Sequence, residues 1–198
     1  MQEQMAIASR IISLLGFPII NNMNYEGDDV LGMISRLSEA NNMNCVIVSA
    51  DHDMYQLITD YTWILDSRVD DIIDIDKMYY NTGLYPNQWV DYKMLLGDQS
   101  DNVQGIPNIG KKGATSLLTQ YGSLDEVYNH IDELSPAYQA GLLDAKPRLD
   151  LLRTLMTIVT DYTKRAKTDT SHKILAEQFK EHTINRVYEA VGGKYGRR

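Results

Sequence analysis

Apolar residues recur three and four apart at Ala8, Ile11, Ile12 and Leu15 and predict a helix over Glu3 to Leu15, ended by Gly16. Phe17 to Ile20 reads as a short buried strand. Val30, Ile34 and Leu37 share one face of a second helix over Tyr25 to Asn42, and Glu26, Asp28 and Asp29 sit in its first turn, where the helix dipole favours negative charge. Cys45 to Val48 is an unbroken apolar strand with Asp51 just past its end. A short helix over Met54 to Ile58 follows, then two strands, Thr62 to Leu65 and Asp71 to Asp74. Strands alternating with helices predict an α/β fold with a mainly parallel sheet. After Asp76 the pattern is helical: Pro86 opens a helix through Leu96, another covers Lys111 to Gln120, and Ser123 is placed to cap the next. No internal repeat and no low-complexity linker separates the two parts, so they are expected to pack together. The Gly192 to Arg198 tail reads as frayed.

The chain has 198 residues and a net charge of -8. That sign alone argues against a polyanionic partner, but the charges are unevenly placed. Residues 1–104 carry 5 Lys/Arg against 16 Asp/Glu, and residues 105–198 carry 14 against 11. Patch sign is the better guide to nucleic-acid binding. No apolar run approaches the roughly 20 residues a membrane helix needs, and no basic stretch followed by an apolar run marks a secretory signal. The single cysteine, Cys45, excludes an internal disulfide framework and fits a reducing, cytoplasmic setting, as a small core side chain.

Carboxylates gather in three short clusters: Glu26, Asp28 and Asp29 in YEGDD, Asp51 and Asp53 in SADHD, and Asp98 and Asp101 in GDQSDN. Singly, an acidic pair at a helix start is a cap. Three such clusters at successive element ends fit a cage for a hard divalent cation, Mg²⁺ or Mn²⁺, which prefers oxygen ligands. The open α/β sheet places ligands beyond the carboxyl ends of its strands, where these clusters fall. Crowded carboxylates raise one another's pKa, and two cations remove that cost. His52 reads as a surface helix residue, because oxygen-rich sites seldom recruit imidazole. The run Asp66, Asp70, Asp71, Asp74 and Asp76 reads as a solvated loop or edge strand.

Directly after the third cluster comes Gly105-Ile106-Pro107-Asn108-Ile109-Gly110-Lys111-Lys112. Its glycines permit unusual backbone shapes. Gly110 opens a helix whose first N–H groups make an anion site, and Lys111 and Lys112 add charge. Gly105, Ile106, Asn108, Ile109, Gly110, Lys111 and Lys112 are therefore the expected contacts to a DNA backbone, sequence-independent and salt-sensitive. It is not a Walker loop: the spacing differs and no apolar strand precedes it.

YEGDDVLGMISRL, VIVSADHDMYQL, LLGDQSDNVQGIPNIGKKGATSLL and YGSLDEVY together resemble, in order, the 5′-nuclease domain of bacterial DNA polymerase I and the related phage and bacterial 5′–3′ exonucleases and flap endonucleases. The resemblance runs from about Met5 to Thr163. It implies a PIN-like (Rossmann-like) α/β portion over 1–80, a helical region with a helix–hairpin–helix over 81–165, and an extension over 166–198. It implies metal ligation by Glu26, Asp28, Asp29, Asp51, Asp53, Asp98 and Asp101, with Gly27 replacing the usual alanine. It also implies duplex gripping by Gly105 to Ala114, with a K⁺ ion there, and hydrolysis of DNA by two metal ions about 4 Å apart. The substrates implied are DNA with 5′ ends, flaps or nicks, and RNA primers, in replication and repair. The resemblance further implies about a hundred preceding residues, with a first strand, two more aspartates and a basic arch. The expectation is a sheet incomplete at the N-terminus, with either a companion chain supplying that part or this chain being a fragment. The alternative reading is a non-catalytic, structure-specific DNA-binding subunit.

Overall fold

The computed structural model describes residues 2–17, 19–20 and 25–161, and the tail and the 166–198 extension lie outside them. The chain divides into two compact units, residues 1–37 with 159–198, and residues 38–158. The boundary expected near residue 80 thus falls inside the second unit.

In the first unit, α1 spans Gln2–Leu14 and α2 begins at Gly27, continuing to Ala40. The predicted apolar stripe is exposed, with Ile12 at 41% and Leu15 at 67%. The expected Phe17–Ile20 strand is absent from the described residues, and Phe17 is 62% exposed. Burial needs an opposing apolar layer, which periodicity does not supply. The start of α2 matches its sequence signal: Val30 N–H donates to the Glu26 carbonyl at 3.2 Å, and Glu26 N–H donates to Asp29 Oδ2 at 3.3 Å. This is half of a capping box. Asp29 Oδ1 accepts from Val159 N–H at 2.7 Å, tying the two chain segments of this unit.

The second unit holds a three-stranded sheet in the order β1 (Cys45–Val48), β2 (Thr62–Asp66), β3 (Asp71–Ile73). β1 and β2 are parallel, and β2 and β3 antiparallel. The sheet is therefore small and mixed rather than mainly parallel. The short 67–70 link, with Asp70 at φ 53°, reverses the chain too tightly for a parallel crossover. Ile47, Ile64 and Ile73 fill the buried face, whereas Val46, Val48 and Ile72 on the other are exposed. An all-apolar strand thus buries only alternate side chains. Cys45 is half-buried, and that burial pushes its thiol pKa up.

A 3-10 helix, His52–Leu57, leads from β1 toward β2 and buries Met54, Tyr55 and Leu57. Helix α3 (Ile75–Thr82) is capped by Asp74, whose side chain accepts from Lys77 N–H. In the acidic run read as a solvated loop or edge strand, Asp70, Asp74 and Asp76 are exposed and Asp71 opens the edge strand β3 and pairs with Lys77, whereas Asp66 is buried and takes Arg68. The rest is helical: α4 (Trp89–Leu96), α5 (Lys111–Tyr121), α6 (Leu124–Asn129), α7 (Pro136–Ala145) and α8 (Leu149–Met156). Met94, Leu95, Leu118, Leu124, Val127 and Leu142 form their common core. Each such side chain contributes about 1.5–3 kcal/mol by leaving water. Ser123 caps α6 as its position suggested. Asp91 on α4 accepts from Leu124 N–H at 2.8 Å and from Arg153 at 3.0 Å, joining α4, α6 and α8. A two-residue ribbon, β4 (Gly97–Asp98) against β5 (Val103–Gln104), separates α4 from the glycine-rich run.

Gln88 is the polar pin of this layer. Its amide donates to the carbonyls of Leu118 and Gly122, both at 2.9 Å, and accepts from Tyr85 N–H at 3.0 Å. Gln88→Leu would strand those groups, at about 1–3 kcal/mol for each one left buried. We expect the urea midpoint to fall with an unchanged slope. An unaltered midpoint would show that water replaces the amide.

Candidate metal and nucleic-acid site

The carboxylates fall into two groups, one in each unit. In the first, Glu26 is exposed, Asp28 is half-buried, and both Asp29 oxygens take main-chain N–H groups. Asp29 therefore acts as a cap and tie as well as a charge.

In the second unit, Asp51 caps the His52–Leu57 turn, accepting from Asp53 N–H at 2.9 Å. That turn directs Asp53 toward α4. There Lys93 Nζ lies 2.6 Å from Asp53 Oδ1 and 2.6 Å from Asp98 Oδ2. The structure thus joins the SADHD and GDQSDN clusters through an ammonium group. Asp98 Oδ1 also accepts from Ser100 N–H at 2.8 Å and from its hydroxyl. Asp101 N–H points to the same oxygen at 3.4 Å, and the Asp101 side chain is exposed. Hydrogen bonds from Lys93 and Ser100 hold the Asp98 carboxyl well below the usual range. Burial pushes Asp53 up, against the pull of Lys93 and with added repulsion from Asp51 and Asp98. Burial works against the Lys93 charge, but the two carboxylates outweigh it and push its pKa up.

Among the described residues no three His, Cys, Asp or Glu side chains converge closely enough to hold a metal. The donor chemistry nevertheless fits a cation. Asp53 Oδ1 is buried without hydrogen-bond geometry to any partner, although an ammonium lies beside it. A desolvated carboxylate oxygen of this kind suits a hard divalent ion.

Lys93 was not singled out from the sequence. Its signal was available: one of 5 basic residues in the acidic first 104, five positions before Asp98 on the helix that delivers it. Arg68 was also missed. It forks onto Asp66 through Nε at 3.1 Å and Nη2 at 2.8 Å, and meets His52 Nε2 at 2.6 Å. His52 is exposed and stacked on Tyr55.

The glycine-rich run leaves β5 and enters α5. Ile106 and Ile109 are buried anchors, whereas Asn108, Gly110, Lys111 and Lys112 are exposed. The backbone reasoning needs correction here. Neither Gly105 nor Gly110 has positive φ: the left-handed residue is Asn108, at φ 67°. Gly105 is required for space, because a Cβ there would strike the Leu96 carbonyl and the Gly97 nitrogen. Gly97 has φ 75° and ψ -175°, a region closed to residues with a side chain, and its own Cβ would strike Gly105. The two glycines let the hairpin backbone lie directly on the Asp98 ribbon. Gly110 is extended, with open space where a Cβ would be.

Two family models match the chain: the 5′-3′ exonuclease N-terminal resolvase-like domain over residues 1–83, and the 5′-3′ exonuclease C-terminal SAM fold over residues 84–180. The expected lack of the family's N-terminal part is therefore not supported, since the N-terminal model matches from residue 1. DNA polymerase I of Thermus aquaticus is 35% identical over 173 residues, covering 84% of this chain and 21% of that protein. A 5′-3′ exonuclease of Halalkalibacterium halodurans is 33% identical over 165 residues, covering 80% of this chain and 54% of that one. The chain thus spans about a fifth of the polymerase's length and about half of the exonuclease's. The fold resembles that of a bacteriophage T5 flap endonuclease solved with DNA and metal ions, at TM-score 0.69 and 20% identity, covering 88% of this chain and 64% of that one. The α/β architecture, a small mixed sheet followed by a helical region, matches the fold of that structure. The chain belongs to the 5′-3′ exonuclease family, a family of metal-dependent phosphodiesterases.

Two expectations follow from the charges. Lys93→Met removes a positive charge from between Asp53 and Asp98, so Mn²⁺ measured by calorimetry should bind severalfold more tightly. Weaker binding would mean that Lys93 orients the carboxylates instead. The Arg68 fork holds the Asp66 carboxyl down to about 2. A depressed folded-state pKa contributes stability above an unfolded value of about 3.9, lost as pH falls through about 2. Asp66→Asn should therefore flatten the pH dependence of unfolding between those limits. An unchanged slope would exclude the ion pair.

Proposed function

We propose that this chain is a structure-specific 5′-nuclease that hydrolyses DNA phosphodiesters at 5′ ends, flaps or nicks, and RNA primers, with Mg²⁺ or Mn²⁺. The observation that carries this reading is the Gly97–Gly105 junction, which sets the exposed hairpin directly on the Asp98–Asp101 loop. In the first unit Glu26 and Asp28 would hold divalent metal, with Asp29 fixing the main chain beside Glu26, and in the second unit Asp51, Asp53, Asp98 and Asp101 would do so. When bound, the ions supply an activated water and charge stabilisation at the leaving oxygen. The protein's own part is orientation. Asp51 fixes the turn that carries Asp53, Ser100 and Lys93 hold Asp98, and the hairpin offers main-chain N–H groups and two lysines to phosphates. Gly110 supports this role, because no internal contact or backbone angle demands a glycine there, while a bare backbone lets a phosphate approach closely.

β1 is the edge of its sheet among the described residues, with Val46 and Val48 exposed. Such an edge accepts a strand from a companion chain. Binding without cutting is the second reading. It is favoured by the ammonium of Lys93, which already stands against both Asp53 and Asp98 and offsets one of their two negative charges.

A labelled 5′-flap duplex incubated with Mg²⁺ tests both. We expect cleavage that is lost in Asp53→Ala with binding retained. Binding without product would select the second reading. The double substitution of Lys111 and Lys112 to Glu should weaken duplex binding and reduce the salt slope by about two.

A further inference from the structure

The hairpin is held from behind by a residue more than 40 positions further along the chain. Arg148 stands in the 3-10 turn Lys146–Arg148 between α7 and α8. Its Nη1 donates to the Gln104 carbonyl at 2.6 Å and its Nη2 to the Gly105 carbonyl at 2.8 Å. These are the last two carbonyls before the exposed turn. Further on, a Cβ at Gly141 of α7 would strike the Pro107 carbonyl oxygen, so the helix backbone touches the turn directly. Asn108 then donates its side-chain amide to the Ala137 carbonyl at 3.3 Å. From the other side, Ile106 N–H donates to the Leu95 carbonyl at 2.8 Å. Every residue from Gln104 to Asn108 is gripped, and Arg148 alone supplies two of the bonds by one side chain.

We propose that Arg148 is a positioning residue for the hairpin: its planar fork fixes the two carbonyls that open the turn, and so sets the duplex-binding face against the Asp98–Asp101 loop. This rests on the reading of the hairpin as a duplex clamp. A guanidinium suits the task, because two parallel donors define an orientation that a lysine ammonium cannot. Both terminal nitrogens are bonded to protein carbonyls. The proposed role is to shape the phosphate-binding face.

Arg148→Met and Arg148→Lys, measured by duplex-binding anisotropy across a salt series, test the assignment. Loss of preorganisation should weaken Arg148→Met binding about tenfold, with the salt slope unchanged and Arg148→Lys intermediate. In the cleavage reaction, Arg148→Met should spread one dominant product over neighbouring positions and lower kcat about tenfold. Thermal unfolding and Mn²⁺ affinity should stay close to wild type, which a general packing role would not allow. Wild-type affinity in Arg148→Met overturns the proposal. So does a slope lower by about one, which would make Arg148 a phosphate contact. If Arg148→Met does not fold, wild-type affinity and product position in Arg148→Lys overturn it. Failure of the wild-type chain to bind duplex would remove the clamp reading itself, and is seen before any variant is compared. Binding without cleavage would remove only the nuclease reading, and leave affinity and salt slope to decide.

Discussion

Two glycine backbones in contact, Gly97 and Gly105, govern how the chemistry of this chain is arranged. The end of α4, the Asp98 ribbon and the start of the hairpin meet there without an intervening side chain. A methyl group on either residue would collide with main-chain atoms, which cannot move aside as a flexible side chain can. The Asp98–Asp101 loop and the exposed lysines are thereby joined through one direct backbone contact rather than being two sites on a hinge. That matters for a reaction in which a phosphodiester must be held by its neighbours while one bond is broken, since misplacement by about 1 Å costs up to about a hundredfold in rate.

Charge sets the second condition. Asp53 and Asp98 lie close enough to repel, and Asp53 is partly desolvated. Lys93 resolves the conflict by standing between them. A divalent cation would resolve it too, with more charge. The site is therefore one that favours a positive charge, and on the function proposed here an ammonium and a metal would compete for it at α4, which carries Lys93 and delivers Asp98.

The helical layer around this piece is itself pinned by polar groups. Gln88, Asp91 and Arg148 each bind main-chain atoms from elements far apart in sequence. Apolar packing holds α4 to α8 together, but it is non-directional. These side chains supply the direction.

Local chemistry was legible in the chain. Periodicity places the helices, Ser123 caps where a cap is needed, and the three carboxylate clusters stand at element ends, because each of these depends on residues within a few positions. Even the nuclease-family membership was readable, since the motifs are contiguous. What depends on distant residues was not. An apolar strand cannot say whether one or both faces are covered, so Val46 and Val48 proved exposed. The glycines of the hairpin suggested special backbone angles. Gly105 in fact serves a close approach to Leu96 and Gly97, while the positive φ belongs to Asn108. Arg148 carries no local signature, and that of Lys93 is only its rarity in an acidic stretch and its place five positions before Asp98. Their partners, 40 or more residues away for Asp53 and Gln104, are chosen only when the folded backbone brings them within hydrogen-bonding or ion-pair reach.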